Sequence, residues 1–278
     1  MKNPLVLYHA DCNDGFCAAW VARMVYPDAE FRAVQYGEPA PNVDGRDVLI
    51  LDFSYPRAEI LAIKKRARSF MLLDHHESAR KEISDIDGCV FDPYHSGAHM
   101  AWVYIFPSAG IDERRYHDIA WIVHYVEDRD LWKFELSNSK EINAVIASYP
   151  KSFSQWEMLY ERGVKDMKAI LQEGIGITRY QDRLVEEMTK SPQMVDVAGH
   201  RIPSVNTRVL MSEVAGRLAE NAPFAMTWFE GHGGKRYHSL RSRGNRAVDV
   251  SEVAKTLGGG GHCNAAGFTT GPKKDGDA

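Results

Sequence analysis

The sequence is short of the features that would mark a secreted, membrane-embedded or nucleic-acid-coating protein. It has four cysteines in 278 residues, Cys12, Cys17, Cys89 and Cys263, with no CxxC pair. That sparseness argues against a disulfide framework or a zinc ribbon, and the cysteines read as reduced thiols, mostly small core residues. No stretch approaches the ~20 apolar residues a membrane helix needs. The opening Met1–Tyr8 holds an apolar run too short for a signal-peptide core. The expectation is a cytoplasmic protein with no membrane partner. A net charge of −4 lacks the broad basic surface that coats long nucleic acid. Internal repeats are absent, and only the tail Gly271–Ala278 has the composition of a disordered segment.

What is present is a globular composition, 44% hydrophobic and 26% charged, in a chain long enough for two cores. Charge is unevenly spread. Residues 1–194 carry 23 Lys+Arg against 30 Asp+Glu, and residues 195–278 carry 11 against 8. The acidic part suits cations and the basic part suits phosphate.

Four apolar runs read as buried strands, each followed by polar residues: Leu5–Tyr8 before His9, Val48–Leu51 before Asp52, Phe70–Leu73 before Asp74, and Cys89–Phe91 before Asp92. Helical patterns at Gly15–Tyr26 and Arg57–Ala67 lie between them, so the alternation predicts a parallel α/β sheet. Ligands of such sheets bind beyond the carboxyl ends of the strands, where these acids and histidines fall. Further helices are expected near Ser96–Phe106, with Ser96 as N-cap, and Arg114–Val126. A polar amphipathic stretch from Phe153 to Thr189, interrupted near Gly174-Ile175-Gly176, is the candidate connector. Strands at Met194–Val197, Ile202–Val205, Ala225–Phe229 and Tyr237–Arg241, with a helix near Val250–Leu257, indicate a smaller second α/β domain. The predicted organisation is residues 1–150 as a catalytic domain, 151–192 as a helical connector and 193–278 as a substrate-binding domain.

Five segments carry candidate chemistry. His9-Ala10-Asp11-Cys12-Asn13-Asp14-Gly15 puts an imidazole and two carboxylates in one turn, the donors expected for Mn²⁺ or Mg²⁺, though turn formation and N-capping would also explain it. Asp52 is the first acid after an apolar strand, and alone it reads as a cap or turn residue. In Asp74-His75-His76-Glu77 one imidazole can ligate metal, with Asp74 orienting it, while the other meets a phosphate oxygen. Three strands ending on one sheet edge strengthen all of these together. Val126-Glu127-Asp128-Arg129-Asp130 offers a further carboxylate, with Asp128 preferred over Asp130. Finally, Gly258-Gly259-Gly260-Gly261-His262 exposes backbone N–H groups to an anionic oxygen, with His262 adding a contact. Upstream, the stretch from Lys235 to Arg246 holds five basic residues and no acid, and Arg241 with Arg243 would share a strand face and clamp phosphate.

Together these residues resemble the DHH superfamily of phosphoesterases, named for the triplet that stands here as Asp74-His75-His76. The glycine run, its histidine and the following Ala265-Ala266-Gly267-Phe268 resemble the DHHA1 domain of the nuclease and nanoRNase branches. The resemblance implies two divalent cations, Mn²⁺ ahead of Mg²⁺, held by His9, Asp11, Asp14, Asp52, His75 and Asp128, with Asp52 bridging. It implies His76 on the scissile phosphate, Asp74 supporting the site from outside the ligand set, and Arg241, Gly260, Gly261 and His262 on the substrate. One departure stands out. Relatives show Asp-x-Asp, with one residue between the acids, whereas two residues separate Asp11 from Asp14, so the middle position falls nominally on Cys12. The implied activity is hydrolysis of short oligoribonucleotides. Cyclic dinucleotides and 3′-phosphoadenosine 5′-phosphate are alternative substrates, and a catalytically silent nucleotide-binding protein is the alternative of another class. Oligomeric state, monomer or homodimer, stays open.

Overall fold

The computed structural model describes residues 1–106, 113–243 and 248–271. The chain divides into two compact units, Met1–Thr178 and Arg179–Ala278. The expected tail disorder at 272–278 and the basic residue Arg246 lie outside the described residues.

The first unit is built on a five-stranded sheet of β1 (Leu5–His9), β2 (Glu30–Val34), β3 (Asp47–Leu51), β4 (Ser69–Asp74) and β5 (Cys89–Phe91), in the order β2-β1-β3-β4-β5. Every pairing is parallel. The apolar runs are continuous because both faces are covered, and successive side chains alternate between two cores. Val6, Leu49, Leu51 and Leu73 enter one core. Leu5, Leu7, Val48, Ile50 and Leu72 enter the other. β2 was not expected: it is an edge strand, and the exposed Glu30 and Arg32 hide its pattern.

Helices α1 (Asn13–Val25), α4 (Gly97–Tyr104), α5 (Glu113–Asp130), α6 (Ser139–Ser148) and α7 (Phe153–Lys165) contribute to the first core, while α2 (Arg57–Arg66) and α3 (Arg80–Ile83) cover the opposite face. Ser96 caps α4 as expected, its side chain accepting from the His99 N–H at 3.3 Å. The long helix α8 (Met167–Thr189) runs unbroken through Gly174 and Gly176, so the interruption expected there is absent. The break falls instead at Asp166, the C-cap of α7. Gly174 lies so close to the backbone of Glu141 that a Cβ would collide with it, which gives this glycine a packing role rather than a hinge role.

The second unit holds a mixed six-stranded sheet of β6 (Gln193–Val197), β7 (His200–Asn206), β8 (Ala225–Glu230), β9 (Arg236–Arg241), β10 (Gly260–His262) and β11 (Ala265–Thr270), in the order β10-β11-β9-β8-β7-β6. Helices α9 (Met211–Leu218) and α10 (Val250–Thr256) pack on it, Val214 and Val253 each entering a small core. The sequence reading missed α9, β10 and β11.

Candidate active site

The strand order 2-1-3-4-5 reverses direction at β1/β3, the position where open parallel sheets place their ligands. His9 closes β1, Asp52 follows β3, and Asp74, His75 and His76 close and follow β4. Asp52 is fully buried and holds φ +55°, a left-handed backbone that a non-glycine residue adopts at a cost. Its two carboxylate oxygens are buried and accept no hydrogen bond. They face ring nitrogens on two sides: His75 Nε2 lies 3.1 Å from Oδ1 and His9 Nδ1 lies 3.6 Å from Oδ2.

His75 gathers the carboxylates. Its Nε2 also lies 3.5 Å from Asp130 and 3.7 Å from Asp14. Burial alone would lower its pKa, but Asp52, then Asp130 and Asp14, raise it to about 10. Burial acts upward on Asp52, yet the rings of His75 and His9 and the charge of His76 hold that carboxyl below the usual range. Asp14 and Asp130 go the other way, raised by burial and by repulsion from their fellow acids, which outweigh the attraction of His75.

Asp74 has a different task. Its Oδ1 accepts from the His75 N–H at 2.8 Å, the His76 N–H at 3.2 Å and His76 Nδ1 at 2.7 Å, while Ser54 Oγ donates to Oδ2 at 2.5 Å. Its oxygens are thereby committed to orienting His76. Burial would lower the His76 pKa, but Asp74 and then Asp52 raise it.

The helix ends are fitted to this cluster. Asp14 accepts from the Gly97 N–H at 2.6 Å and the Ala98 N–H at 2.9 Å, tying α1 to the first turn of α4. Gly97 and Gly15 are required by contact: a Cβ on Gly97 would collide with Asp52, and one on Gly15 would lie 2.5 Å from His9 O and 3.1 Å from Asp52 Oδ2.

Two expected positions differ. Asp128 lies outside the cluster: its Oδ1 accepts from the Glu135 N–H at 2.8 Å and its carbonyl from Lys133, so it secures the loop after α5. Asp130 takes the place by His75. The signal was available, since Ile119, Val123, Val126 and Asp130 form one helical stripe whose first three members are buried. Asp11 is the second. It is exposed at φ +57°, and its carboxylate accepts from Gln35 Nε2 at 3.0 Å, away from the others. Cys12 stands in its stead, with its sulfur grouped with His9 and Asp52 donor atoms, all within 4.8 Å of one another. Burial, then Asp52, Asp130 and Asp14, push this thiol well above its usual range.

In the second unit, Arg241 is anchored on Ser212 Oγ at 2.6 Å and Ser239 Oγ at 2.9 Å. Arg243 lies beyond the end of β9 and pairs with Glu220 at 2.7 Å, so the structure does not place the two as a clamp on one strand. Gly260, Gly261 and His262 form β10 against β11. Gly261, at φ +142°, has no room for a Cβ beside Ala265 and Ala266, so the run is a tightly paired strand as well as exposed backbone.

Asp52 bears on whether cations fit. Gathering the carboxylates of Asp14, Asp52 and Asp130 around one buried histidine is costly unless further positive charge compensates them. One group, His9, Cys12 and Asp52, and another, Asp14, His75 and Asp130, each offer three donor atoms within 4.8 Å. The donor set fits two divalent cations.

No known family's sequence model matches the chain. It is 27% identical over 294 residues to an uncharacterized protein of Acanthamoeba polyphaga mimivirus, taking in 95% of this chain and 66% of the viral protein's length. The chain thus spans just under two thirds of that relative. Among solved structures it is similar to an uncharacterized Helicobacter pylori protein, at 16% identity and a TM-score of 0.47 over 100% of this chain and 94% of the other. It is also similar to a pGpG-specific phosphodiesterase of Vibrio cholerae, at 15% identity and a TM-score of 0.53, covering 97% of this chain and 94% of that one. The fold, a parallel-sheet α/β unit with a second α/β unit, is the one this last protein has.

Proposed function

We propose that the chain is a metal-dependent phosphoesterase of the DHH type that hydrolyses phosphodiester bonds in oligoribonucleotides of a few residues. The observation that carries the proposal is Asp52, fully buried with neither oxygen hydrogen-bonded, facing His9 on one side and His75 on the other. Two divalent cations bound there, Mn²⁺ in this proposal, would activate water at neutral pH and stabilise negative charge on the phosphoryl oxygens. His9, Asp14, Asp52, His75 and Asp130 are the side chains to hold them. His76, fixed through Nδ1 by Asp74, donates from Nε2 to the scissile phosphate as a preorganised group. Arg241, Gly260, Gly261 and His262 of the second unit are assigned to the remaining phosphates of the substrate.

The Vibrio cholerae neighbour supports phosphodiester hydrolysis, and the acidic net charge favours short substrates over long ones, which bind through many phosphate contacts. The test is Mn²⁺-dependent cleavage of 5′-labelled RNA from two to about twenty nucleotides, beside cyclic dinucleotides, for wild type and Asp52→Ala. Preferential loss of the shortest RNAs is expected, with the substitution lowering the rate by at least about 10²-fold. Turnover confined to cyclic dinucleotides would move the substrate to that class, and no turnover of any substrate would make this a nucleotide-binding protein.

A further inference from the structure

We infer that Cys12 is a thiolate ligand of the cation held by His9 and Asp52, and that this one of the two positions, though able to take Mn²⁺, prefers an ion of borderline softness, of the zinc, cobalt or iron(II) kind. The inference rests on the metal-centre reading above and assigns one ligand and one class of ion within it.

Geometry carries it. The Cys12 sulfur, a ring nitrogen of His9 and a carboxylate oxygen of Asp52 lie within 4.8 Å of one another. Ligands about 2.0–2.3 Å from a tetrahedral ion are separated by somewhat less than this, so a small inward adjustment closes the site. The atoms opposite the thiol are themselves without hydrogen bonds: His9 Nδ1 and both Asp52 oxygens are buried and unsatisfied, and Asp52 is 0% exposed. The neighbouring acid does not compete for the position, because the Asp11 carboxylate accepts from Gln35 Nε2 at 3.0 Å.

The ordinary roles of a cysteine at this place are not filled. Cys12 is the N-cap residue of α1, yet its side chain makes no capping hydrogen bond. It belongs to neither apolar cluster of the first unit, whereas Cys17, five residues on in the same helix, is fully buried in one of them. A thiol set against a histidine and a carboxylate, rather than against apolar side chains, is placed as a ligand. On ligation the S–H bond breaks, its proton goes to solvent, and the sulfur lone pair goes to the cation. Thiolate donors suit softer divalent ions, while magnesium takes oxygen.

The experiment is titration of the metal-free full-length chain with Co²⁺, followed by the near-ultraviolet sulfur-to-cobalt charge-transfer band and, in parallel, by calorimetry. Wild type is expected to bind Co²⁺ and show the band. Cys12→Ser loses the band and binds Co²⁺ at that position at least about tenfold more weakly. Cys12→Asp also loses the band but still takes up two ions, because an oxygen replaces the sulfur. Co²⁺ binding without a band in wild type, or a band that survives in Cys12→Ser, overturns the inference and leaves the metal centre standing. No Co²⁺ binding to wild type overturns both.

Discussion

A histidine surrounded by carboxylates is a proton store until something displaces the proton. His75, raised to about 10 by Asp52, Asp130 and Asp14 against the opposing effect of burial, stays protonated through neutral pH in the metal-free chain. Its folded value lies above the ordinary ~6.5. Its contribution to metal-free stability is therefore complete below that ordinary value and is lost as pH rises through about 10. A cation arriving at His75 expels the proton. Cation affinity is accordingly expected to rise across this window, about tenfold per pH unit for one proton released. Calorimetry of Mn²⁺ binding in buffers of different ionisation enthalpy reads the proton count directly, and a count of zero at pH 8 would remove His75 from the ligand set.

At the scale of elements, α5 decides which of two neighbouring acids matters. Asp130 continues the buried stripe of the helix toward His75, while Asp128 faces the loop that follows and accepts from the Glu135 N–H. Asp130→Asn is expected to weaken Mn²⁺ binding at least about tenfold with little change in metal-free stability. Asp128→Ala is expected to do the reverse, leaving affinity in place and costing about 1 kcal/mol of folding stability through the lost hydrogen bond. Calorimetry and urea unfolding on the two variants separate these outcomes. The same helix explains why the sequence misled here: the expected helix stopped at Val126, and extending its stripe one turn would have selected Asp130. The strands β1, β3 and β4 were legible because both faces of the sheet are covered over them, and β5, at one edge, because it is uniformly apolar, whereas β2 at the other edge carries charges that break the pattern. His75, His76 and Asp74 were legible from their place after an apolar strand. Asp11 was only partly legible: its irregular distance from Asp14 marked the turn as unusual, but the φ of +57° that turns its side chain outward could not be read from that distance.

For the molecule as a whole, the important fact is that each unit has its own apolar clusters, and that the side chains assigned to the cations, His9, Asp14, Asp52, His75 and Asp130, all belong to the first. A ligand that binds the folded form at one hundred times its dissociation constant stabilises it by about 2.7 kcal/mol. Saturating Mn²⁺ is therefore expected to slow amide hydrogen exchange in residues 1–178 and to leave the core amides of 179–278 unchanged. Mass spectrometry of peptic fragments checks this, and equal protection in both units would mean that they unfold together. The second unit was partly legible in the sequence. Its strands β6 to β9 were legible as short runs of strand-forming residues bounded by turn residues, but the glycine run concealed the β10–β11 pairing, because a strand whose close approach forbids side chains carries no hydrophobic pattern to read.

The strand order also governs how the chain is made. β1 leaves the ribosome before the other strands of its sheet yet lies inside that sheet, paired with β2 and β3. Until residue 51 has followed, Leu5, Val6 and Leu7 have no complete place to hide, and parallel pairing offers no quick hairpin to cover them. The cluster closes only when Asp130 emerges, about 120 residues after His9, an interval of roughly 6–24 s at ordinary rates of synthesis. Nascent chains of this protein thus pass through an obligatory period in which the apolar strands exist and the cation centre does not, and that is when a chaperone would be of most use to it.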